Sequence, residues 1–377
     1  MDFELSSEYV SIKGIARDFL TERWSTEIMR RAIDKPPAHI PADLWSELAE
    51  MGWLGIACGE AAGGGGEGVL AAALLAEAAG RTLLPSALVS AIASAIAIER
   101  GGDDAVRREL LPAILIGACR PALALEEDNG VWGPANVAMT AHPVEAGFWS
   151  LSGRKILVAD ASAANLILVA ARCGDGVALM AVAADAPGLA VTPMRRIDGQ
   201  DIAEVGFTDV RIPASRVLGL KSAPGVLAQD IYDILTVLAA ADLLGVAEAV
   251  LEITTAYCKE RTQFGRPIGA FQAVSHRLAD VLVAVEIGRS LLYAACLALD
   301  EKRADAQALV AAAKSWLNEA AVDAAEAAVQ LHGGIGYTWE LDVHLYLRRA
   351  RANALSLGDS ARHRETVARH MDSCYNS

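Results

Sequence analysis

The first third of the chain carries apolar residues at intervals of three and four positions, the spacing of an amphipathic helix. Prolines at positions 36, 37 and 41 interrupt this pattern ahead of Trp45. Alanine is frequent in these stretches and favours closely packed helices. The pattern predicts helices over Glu8–Thr21, Ala42–Met51, Gly68–Ala79, Ala87–Arg100 and Asp103–Ile116.

The pattern changes between about residues 120 and 220, where short apolar runs alternate with Gly, Asp and Pro. Runs of this length and spacing are typical of strands in a small antiparallel barrel or sandwich. Gly147 and the pair Ser152-Gly153, on either side of two aromatic residues, predict a hairpin. The apolar runs are Ala122–Leu125, Val137–Ala141, Phe148–Leu151, Ile156–Val158, Leu166–Ala171, Val177–Ala183, Leu189–Pro193 and Ile202–Phe207.

Beyond about Val226 the helical spacing returns and continues to the end of the chain. Three long helices and a shorter pair are expected to form a bundle. We therefore predict an α+β fold with an N-terminal helical domain (1–118), a middle β domain (119–222) and a C-terminal helical bundle (223–377). The C-terminal helices are predicted over Asp230–Arg261, Gly269–Lys302, Ala304–His332, Leu341–Ala354 and Asp359–Asp372.

Composition narrows the class of protein. The 377 residues are 53% hydrophobic, which allows a large buried core. The formal net charge of −14 argues against general binding to nucleic acid or anionic membranes, so an anionic ligand must meet a local group of cations. The longest uncharged apolar run, Thr82–Ile98, contains a proline and three serines and is short for a membrane span of about 20 residues. No secretory signal is recognisable.

Cysteine and histidine usage adds little chemistry. Six cysteines without a CxxC pair fit reduced thiols, so we expect a cytoplasmic protein without a metal site. The run Gly63–Gly66 is compatible with a phosphate cradle, but no strand precedes it and no Lys-Ser/Thr follows, so a plain loop is the simpler interpretation. His332 and His344 are possible acid–base groups, although lone histidines near helix ends are more often structural.

The segment RTQFGRPIGAFQ, which begins at Arg261, concentrates ligand-binding groups at the predicted end of a long helix. Arg261 can hold diphosphate oxygens through two parallel hydrogen bonds. The carboxamides of Gln263 and Gln272 donate and accept, and the rings of Phe264 and Phe271 offer flat apolar surface. A flavin dinucleotide needs these groups together. An ordinary helix–turn–helix with packed phenylalanines is the alternative.

A second segment, QLHGGIGY, begins at Gln330 and contains the end of the helix predicted over Ala304–His332. Its adjacent Gly333 and Gly334 have no side chains that would hold a ligand away from the backbone. A helix C-cap followed by a loop is the alternative, although a cap needs only one glycine.

Together the two segments resemble the signature of the acyl-CoA dehydrogenase family, flavoenzymes of fatty acid and lipid metabolism that desaturate acyl-CoA thioesters. The resemblance implies FAD as cofactor, an electron-transfer flavoprotein as acceptor, and a helical domain, a β-barrel and a four-helix bundle in that order. It also implies that Gln330, Gly333 and Gly334 contact the adenine end of FAD. In the family both segments typically serve the neighbouring subunit's FAD, so we expect a homo- or hetero-oligomer, either a dimer or a tetramer.

The resemblance weakens in the predicted middle domain. Family members carry a Thr-Glu-Pro-rich loop ending in Gly-Ser-Asp, and then a Trp-Ile-Thr strand, beside the flavin ring. Here residues 125–134 read LEEDNGVWGP and the later strand reads KILVAD. Ile156 stands in place of the Trp, and Val158, in place of the Thr, offers no hydroxyl to the flavin. The acids Glu126–Asp128 would place negative charge beside a dinucleotide, unless they belong to a solvated loop.

The catalytic base is also missing from its usual place. Removing a proton alpha to a thioester requires a carboxylate, but the family's base position falls on Leu357. The alternative position, on an earlier helix, falls on Leu235. The nearest acids are Asp359 and Asp233. Asp359 is the candidate catalytic residue, and capping of the following helix is its alternative role.

Three functions are compatible with these observations. The first is a working FAD-dependent acyl-CoA dehydrogenase, in which hydride passes from the substrate to flavin N5. The second is a partner subunit of a heteromeric dehydrogenase, because the retained residues are those that serve a neighbour's FAD. The third, a flavin monooxygenase or oxidase, has no positive support in the sequence.

Overall fold

The computed structural model describes residues 5–129, 133–145, 147–219 and 225–375. Within these ranges the chain forms eleven α-helices and ten β-strands. The helices are α1 (Ser7–Arg23), α2 (Thr26–Asp34), α3 (Ala42–Glu50), α4 (Gly68–Thr82), α5 (Ala87–Gly101), α6 (Asp104–Leu115), α7 (Val226–Glu260), α8 (Gln272–Asp300), α9 (Ala306–His332), α10 (Val343–Leu355) and α11 (Ser360–Tyr375). The strands are β1 (Pro121–Ala124), β2 (Ala141–Glu145), β3 (Phe148–Ala159), β4 (Leu166–Cys173), β5 (Gly176–Ala183), β6 (Leu189–Pro193), β7 (Ile202–Pro213), β8 (Val217–Leu218), β9 (Thr262–Gln263) and β10 (Arg266–Pro267).

The succession of helices, strands and helices confirms the predicted α+β class. All five helices predicted in the first third are present, as α1, α3, α4, α5 and α6. The prediction omitted α2, a helix of nine residues in which only Met29 is buried.

The middle strands form two four-stranded sheets, in the orders β1-β4-β5-β8 and β2-β3-β7-β6. All neighbours are antiparallel except β1 and β4. The predicted hairpin is present between β2 and β3. The prediction was wrong to end a strand at Leu151, because β3 continues through a register shift between Leu151 and Gly153. Gly153, with φ of +145°, absorbs this bulge without the steric cost that a side chain would impose.

The chain divides into two compact units. One combines the described parts of residues 1–29, 73–84 and 236–377, and the other combines 30–72 and 85–235. The first unit contains the C-terminal bundle together with α1 and the second half of α4, and the second contains both sheets. The RTQFGRPIGAFQ and QLHGGIGY segments therefore belong to the first unit.

Within the first unit, α4 and α7 cross with their backbones almost in contact. A Cβ atom on Gly80 would lie 2.0 Å from the carbonyl oxygen of Asp242, and one on Gly245 would lie 1.9 Å from that of Glu77. The crossing therefore requires glycine on both helices. A buried ion pair adds to the packing, because the guanidinium of Arg349 on α10 lies 2.7 Å and 3.1 Å from the two carboxylate oxygens of Asp242 on α7.

Among the described residues, α7 and α8 are long and apolar enough to cross a membrane by length and composition. The most apolar window of α7 is 83% buried inside the protein, as expected for a core helix. In α8 the corresponding fraction is 44%, because Leu282, Val283 and Ile287 are exposed.

The four-glycine run forms a closed loop rather than a phosphate cradle. The N–H groups of Gly64, Gly65 and Gly66 donate to the chain's own carbonyls at Gly59, Gly55 and Cys58. A Cβ on Gly64 would lie 2.3 Å from the Cys58 oxygen. These N–H groups therefore bond within the chain itself, and close packing excludes a side chain at Gly64.

Candidate functional site

The RTQFGRPIGAFQ segment forms a short β-hairpin between α7 and α8. The strands β9 and β10 pair through Gln263 and Arg266, with Phe264 and Gly265 at the turn. Both turn residues have positive φ, +51° and +80°, as a type I′ turn requires. This conformation is uncommon for a bulky residue, and such strained positions cluster at functional sites. It projects the ring of Phe264 from the protein, 92% exposed.

Aromatic and cationic groups pack together at this hairpin. The guanidinium carbon of Arg266 lies 4.1 Å from the ring centroid of Phe271, and the Phe264 ring meets Phe271 edge-on at 6.1 Å. The side chains of Arg261 and Gln272 are exposed beside them. The hairpin therefore presents cations, amides and ring surfaces to solvent at one place.

The QLHGGIGY segment ends α9 and continues as a 3₁₀ turn over Gly333–Tyr337. A Cβ atom on Gly333 or Gly334 would meet nothing within 4 Å, so both glycines border open space. Gln330 is exposed on the last turn of α9. By contrast, a Cβ on Gly336 would lie 2.6 Å from the Val329 oxygen, so that glycine is required by packing.

A ring stack brings the two segments together. The rings of Tyr257, one turn before Arg261, and His332, next to Gly333, lie with centroids 4.2 Å apart and planes at 26°. His332 is buried, its Nδ1 lies 2.8 Å from the Ala328 carbonyl oxygen, and burial lowers its pKa. Its role here is structural packing. The predicted nucleotide-binding residues thus lie at the ends of the two helices that this stack joins, or on the segments that follow them. They are Arg261, Gln263, Phe264, Phe271, Gln272, Gln330, Gly333 and Gly334.

Asp359, the predicted base, caps α11. Its carboxylate accepts a hydrogen bond of 2.9 Å from the backbone N–H of Arg362, and the residue is exposed. Leu357, at the family's base position, has a left-handed backbone with φ of +58°. Its carbonyl oxygen lies 3.0 Å from Nε2 of His363, and burial lowers the pKa of that imidazole to about 4.

The carboxylate of Asp233, unlike that of Asp359, is buried. It lies on α7 in the second unit, is only 9% exposed, and accepts a 2.9 Å hydrogen bond from the side-chain amide of Gln229. Burial, with a smaller contribution from Asp230, raises the pKa of Asp233 to about 7. A buried carboxyl with this pKa can exchange a proton near neutral pH.

The acidic loop of the second unit is fixed by a buried ion pair. The ammonium of Lys155 is fully buried, lies 2.7 Å from Oε1 of Glu127, and donates to the Leu125 carbonyl oxygen at 3.2 Å. Glu127 also accepts from the N–H groups of Ala138 and Met139. Burial opposes ionisation, but the hydrogen bonds from Lys155 and these N–H groups outweigh it and lower the pKa of Glu127.

The solvated-loop interpretation was therefore wrong for Glu126 and Glu127, because both side chains are largely buried. Asp128 is exposed and pairs with Arg154. Val158, which has no hydroxyl, is buried. Residues 130–132, in the predicted flavin loop, lie outside the described residues.

Comparison with known proteins assigns the family. The acyl-CoA dehydrogenase N-terminal domain matches residues 6–118, and the acyl-CoA dehydrogenase C-terminal domain matches residues 235–372. Probable acyl-CoA dehydrogenase YngJ of Bacillus subtilis is 30% identical over 388 residues, covering 98% of this chain and 100% of the relative. The chain belongs to the acyl-CoA dehydrogenase family.

Solved acyl-CoA dehydrogenase-like structures share the whole fold. A chain of the ChsE4-ChsE5 complex from Mycobacterium tuberculosis superimposes with a TM-score of 0.90 at 28% identity, over 99% of both chains. PigA, solved with FAD and proline, gives the same TM-score, identity and coverage. The predicted family and fold are confirmed, and the chain is an oxidoreductase of the acyl-CoA dehydrogenase family.

Three features of this family member were not predicted from the sequence. The Tyr257–His332 stack joins residues 75 positions apart, and His332 was considered only as an acid–base or structural residue, not as a stacking partner of Tyr257. The burial of Lys155 was not signalled by charge pattern. Asp233 was considered, but the sequence analysis did not use its spacing of four residues from Gln229. This spacing on one helix allows the hydrogen bond that fixes the carboxylate.

Proposed function

We propose that this chain works in an FAD-dependent acyl-CoA dehydrogenase that introduces a double bond between the alpha and beta carbons of an acyl-CoA thioester. The observation that carries the proposal is the Tyr257–His332 stack, which places both signature segments at one end of the bundle with their polar groups exposed. FAD supplies the hydride acceptor when bound, and an electron-transfer flavoprotein would take up the electrons.

The exposed groups fit the nucleotide half of FAD. Arg261 offers a guanidinium to the diphosphate, and Gln263, Gln272 and Gln330 offer amides to ribose and adenine. Phe264 and Phe271 offer ring surface, and the backbone at Gly333 and Gly334 is open to close approach. Their exposure on the surface of the first unit supports a cofactor shared across a subunit boundary, and hence an oligomeric enzyme.

For the proton of the alpha carbon, we propose Asp233 rather than Asp359 as the base. Asp359 is exposed, and its carboxylate is engaged in capping. Asp233 is buried, and its pKa of about 7 lets it accept a proton at neutral pH.

The alternative is a partner subunit that completes the FAD site of a second, catalytic chain. Specific observations favour it: Leu235 and Leu357 occupy the base positions, and the acidic loop is held by its own Lys155–Glu127 pair. In this case the second chain brings the carboxylate and the flavin pocket. The likeness to a chain of the ChsE4-ChsE5 complex supports such an arrangement.

Flavin content tests both candidates. The chain purified alone with about one FAD per chain, lost in Arg261→Gln, supports the self-sufficient dehydrogenase. A colourless chain that acquires FAD only with a co-expressed neighbouring gene product supports the partner subunit. Arg364→Gln, an exposed arginine paired with Glu319 on the bundle, is the matched control. Unchanged FAD content in the Arg261→Gln assembly would refute both.

A further inference from the structure

A cavity of about 440 Å³ opens between the two sheets, at the ends of their strands. Its walls include Leu110 on α6, Leu166 and Val182 in one sheet, and Ile212 in the other. All of its described lining residues belong to the second unit. Sites for small molecules hold roughly 300–1,000 Å³ and often lie at the mouths of β-barrels, so this volume suits a small ligand. We call it the sheet-end cavity.

The end of β5 leaves room for this cavity. Strand β8 has only two residues, and it pairs with Leu179 and Met180 of β5. Beyond them β5 continues to Ala183, with β4 as its neighbour on the other side. Ala181, Ala183 and Ala186 line the cavity, and their side chains are small. The space beside the end of β5 therefore stays open in the part of the chain that the structure describes.

The sheet-end cavity is positively charged although the protein is acidic. It is lined by Arg211, near the end of β7, and by Arg216, just before β8, and none of its described lining residues is an acid. The chain as a whole carries a formal net charge of −14. Cys119 also lines the cavity and adds no charge, because burial raises the pKa of its thiol to about 11. The cavity therefore favours an anion.

The two guanidinium groups are held by acids at the surface, which are not among the described lining residues. Arg211 pairs with Glu145, and Arg216 pairs with Glu109. Both carboxylates are more than half exposed, and exposed ion pairs contribute little to stability, so an incoming anion can replace them. The guanidinium carbon of Arg211 also lies 5.4 Å from the ring centroid of Phe148, which keeps this cation in place without neutralising it.

We propose that the sheet-end cavity binds an aliphatic carboxylate of medium chain length, with its tail against the apolar walls and its carboxylate on Arg216. Arg216 is the principal partner because it is the more buried of the two arginines, and an ion pair gains strength where water is excluded. A guanidinium also matches a carboxylate through two parallel hydrogen bonds. The predicted nucleotide-binding residues belong to the first unit, so this inference does not depend on the proposed function.

The test is isothermal titration calorimetry of the full chain, in the assembly that it forms, with octanoate below its micellar concentration. Octanol has the same tail without the charge, and acetate has the charge without the tail; both should bind at least roughly tenfold more weakly than octanoate. Arg216→Gln should weaken octanoate binding roughly tenfold, the scale of a lost hydrogen bond to a charged group. Glu109→Gln should strengthen it, because it frees Arg216 from its surface partner.

Two further variants complete the set. Arg107→Gln removes an exposed arginine of α6 that pairs with Asp104 and does not line the cavity, so it is the matched control and should bind octanoate normally. Ala183→Phe places a ring at the exposed rim of the cavity and should block octanoate while leaving both arginines in place.

Equal octanoate affinity in Arg216→Gln and the unmodified protein would overturn the site, as would octanol binding as tightly as octanoate. Full octanoate binding in a folded Ala183→Phe variant would overturn it as well. Melting curves establish that each variant is folded, and Ala183→Phe carries the test if Arg216→Gln is not. Arg261→Gln, which tests the proposed function through FAD content, should bind octanoate normally, so the two proposals fail separately.

Discussion

The ammonium of Lys155 lies 2.7 Å from the carboxylate of Glu127, in a pair that leaves the lysine with no exposed surface. Removing one partner of a buried pair strands the other charge. We expect Lys155→Met to lower the free energy of unfolding by about 3–5 kcal/mol. The double variant Lys155→Met/Glu127→Gln should recover part of this loss, because the neutral amide leaves no buried charge behind. The recovery is partial because one amide oxygen replaces the two carboxylate oxygens that accept separately from Ala138 and Met139. Equal losses in denaturant melts of the two proteins would contradict the pairing.

Asp233 predicts a pH dependence of turnover. Burial raises its pKa to about 7, so the fraction able to accept a proton grows as pH rises through 7. If Asp233 is the base, kcat/KM increases between pH 5 and 8, and Asp233→Asn lowers it roughly 100-fold or more. The pH–rate profile of the assembly measures both. Full turnover in a folded Asp233→Asn assembly would assign the base to another residue and favour the partner-subunit role.

We predict that substituting Asp359 changes the stability of the protein rather than its acyl-CoA turnover. Asp359→Ala removes the cap on α11 and should cost about 1 kcal/mol, whereas Asp359→Asn should cost little because asparagine caps equally well. We expect acyl-CoA turnover to be unchanged in Asp359→Asn, since the carboxylate is exposed and engaged with the Arg362 N–H. A rate that collapses in Asp359→Asn would restore this residue as the base.

Glu77 on α4 should make the free energy of unfolding pH-dependent. Its carboxylate lies 2.6 Å from Lys13 Nζ and accepts from the Tyr293 hydroxyl, yet burial, and then Glu248, raise its pKa to about 7. The folded protein thus binds this proton more tightly than the unfolded chain, so the stabilisation is full below about pH 4.5 and is lost as pH rises through 7.

Glu77→Gln should remove that part of the pH slope in denaturant melts between pH 5 and 8. Glu286→Gln, an exposed acid on α8, is the control and should leave the slope unchanged. The comparison concerns the slopes, because Glu77→Gln also weakens the ion pair with Lys13. Parallel slopes for Glu77→Gln and the unmodified protein would refute the coupling.

Gly245 should tolerate no side chain. A Cβ there would lie 1.9 Å from the Glu77 carbonyl oxygen, and backbone cannot move aside as a flexible side chain can. We expect Gly245→Ala to cost at least about 4 kcal/mol or to prevent folding. Gly14→Ala on α1, where a Cβ meets nothing within 4 Å, should instead stabilise the protein by about 0.5–1 kcal/mol. Similar melting curves for the two variants would exclude a tight helix crossing.

The helices were predictable because they carry their own periodic signal. The helix predicted over Ala87–Arg100, for example, is one residue longer in the structure, where α5 spans Ala87–Gly101. Strand β3 was harder, since Ser152-Gly153 reads as a break although only the register shifts there. A bulge depends on the partner strand, which the local pattern does not contain.

In the candidate site, too, features with a local sequence pattern were predictable and those set by distant contacts were not. The two signature segments were singled out by residue type, by spacing and by their resemblance to the family, and their role in binding the nucleotide stays a prediction. The pKa shifts of the acids could not be predicted from the sequence, because those of Asp233 and Glu127 depend on burial and on partners elsewhere in the chain. Nor did the sequence foresee a left-handed phenylalanine at position 264, which only the pairing of β9 with β10 requires.

The division of α4 between the two units limits how this protein can be dissected. A fragment beginning at residue 223 would carry the long helices but lose the stretch 73–84 that belongs to their unit, and with it the partner backbone at Gly245. Chimeras with relatives should therefore exchange 1–29, 73–84 and the bundle together. Transplanting the last third alone would expose an apolar seam and invite aggregation.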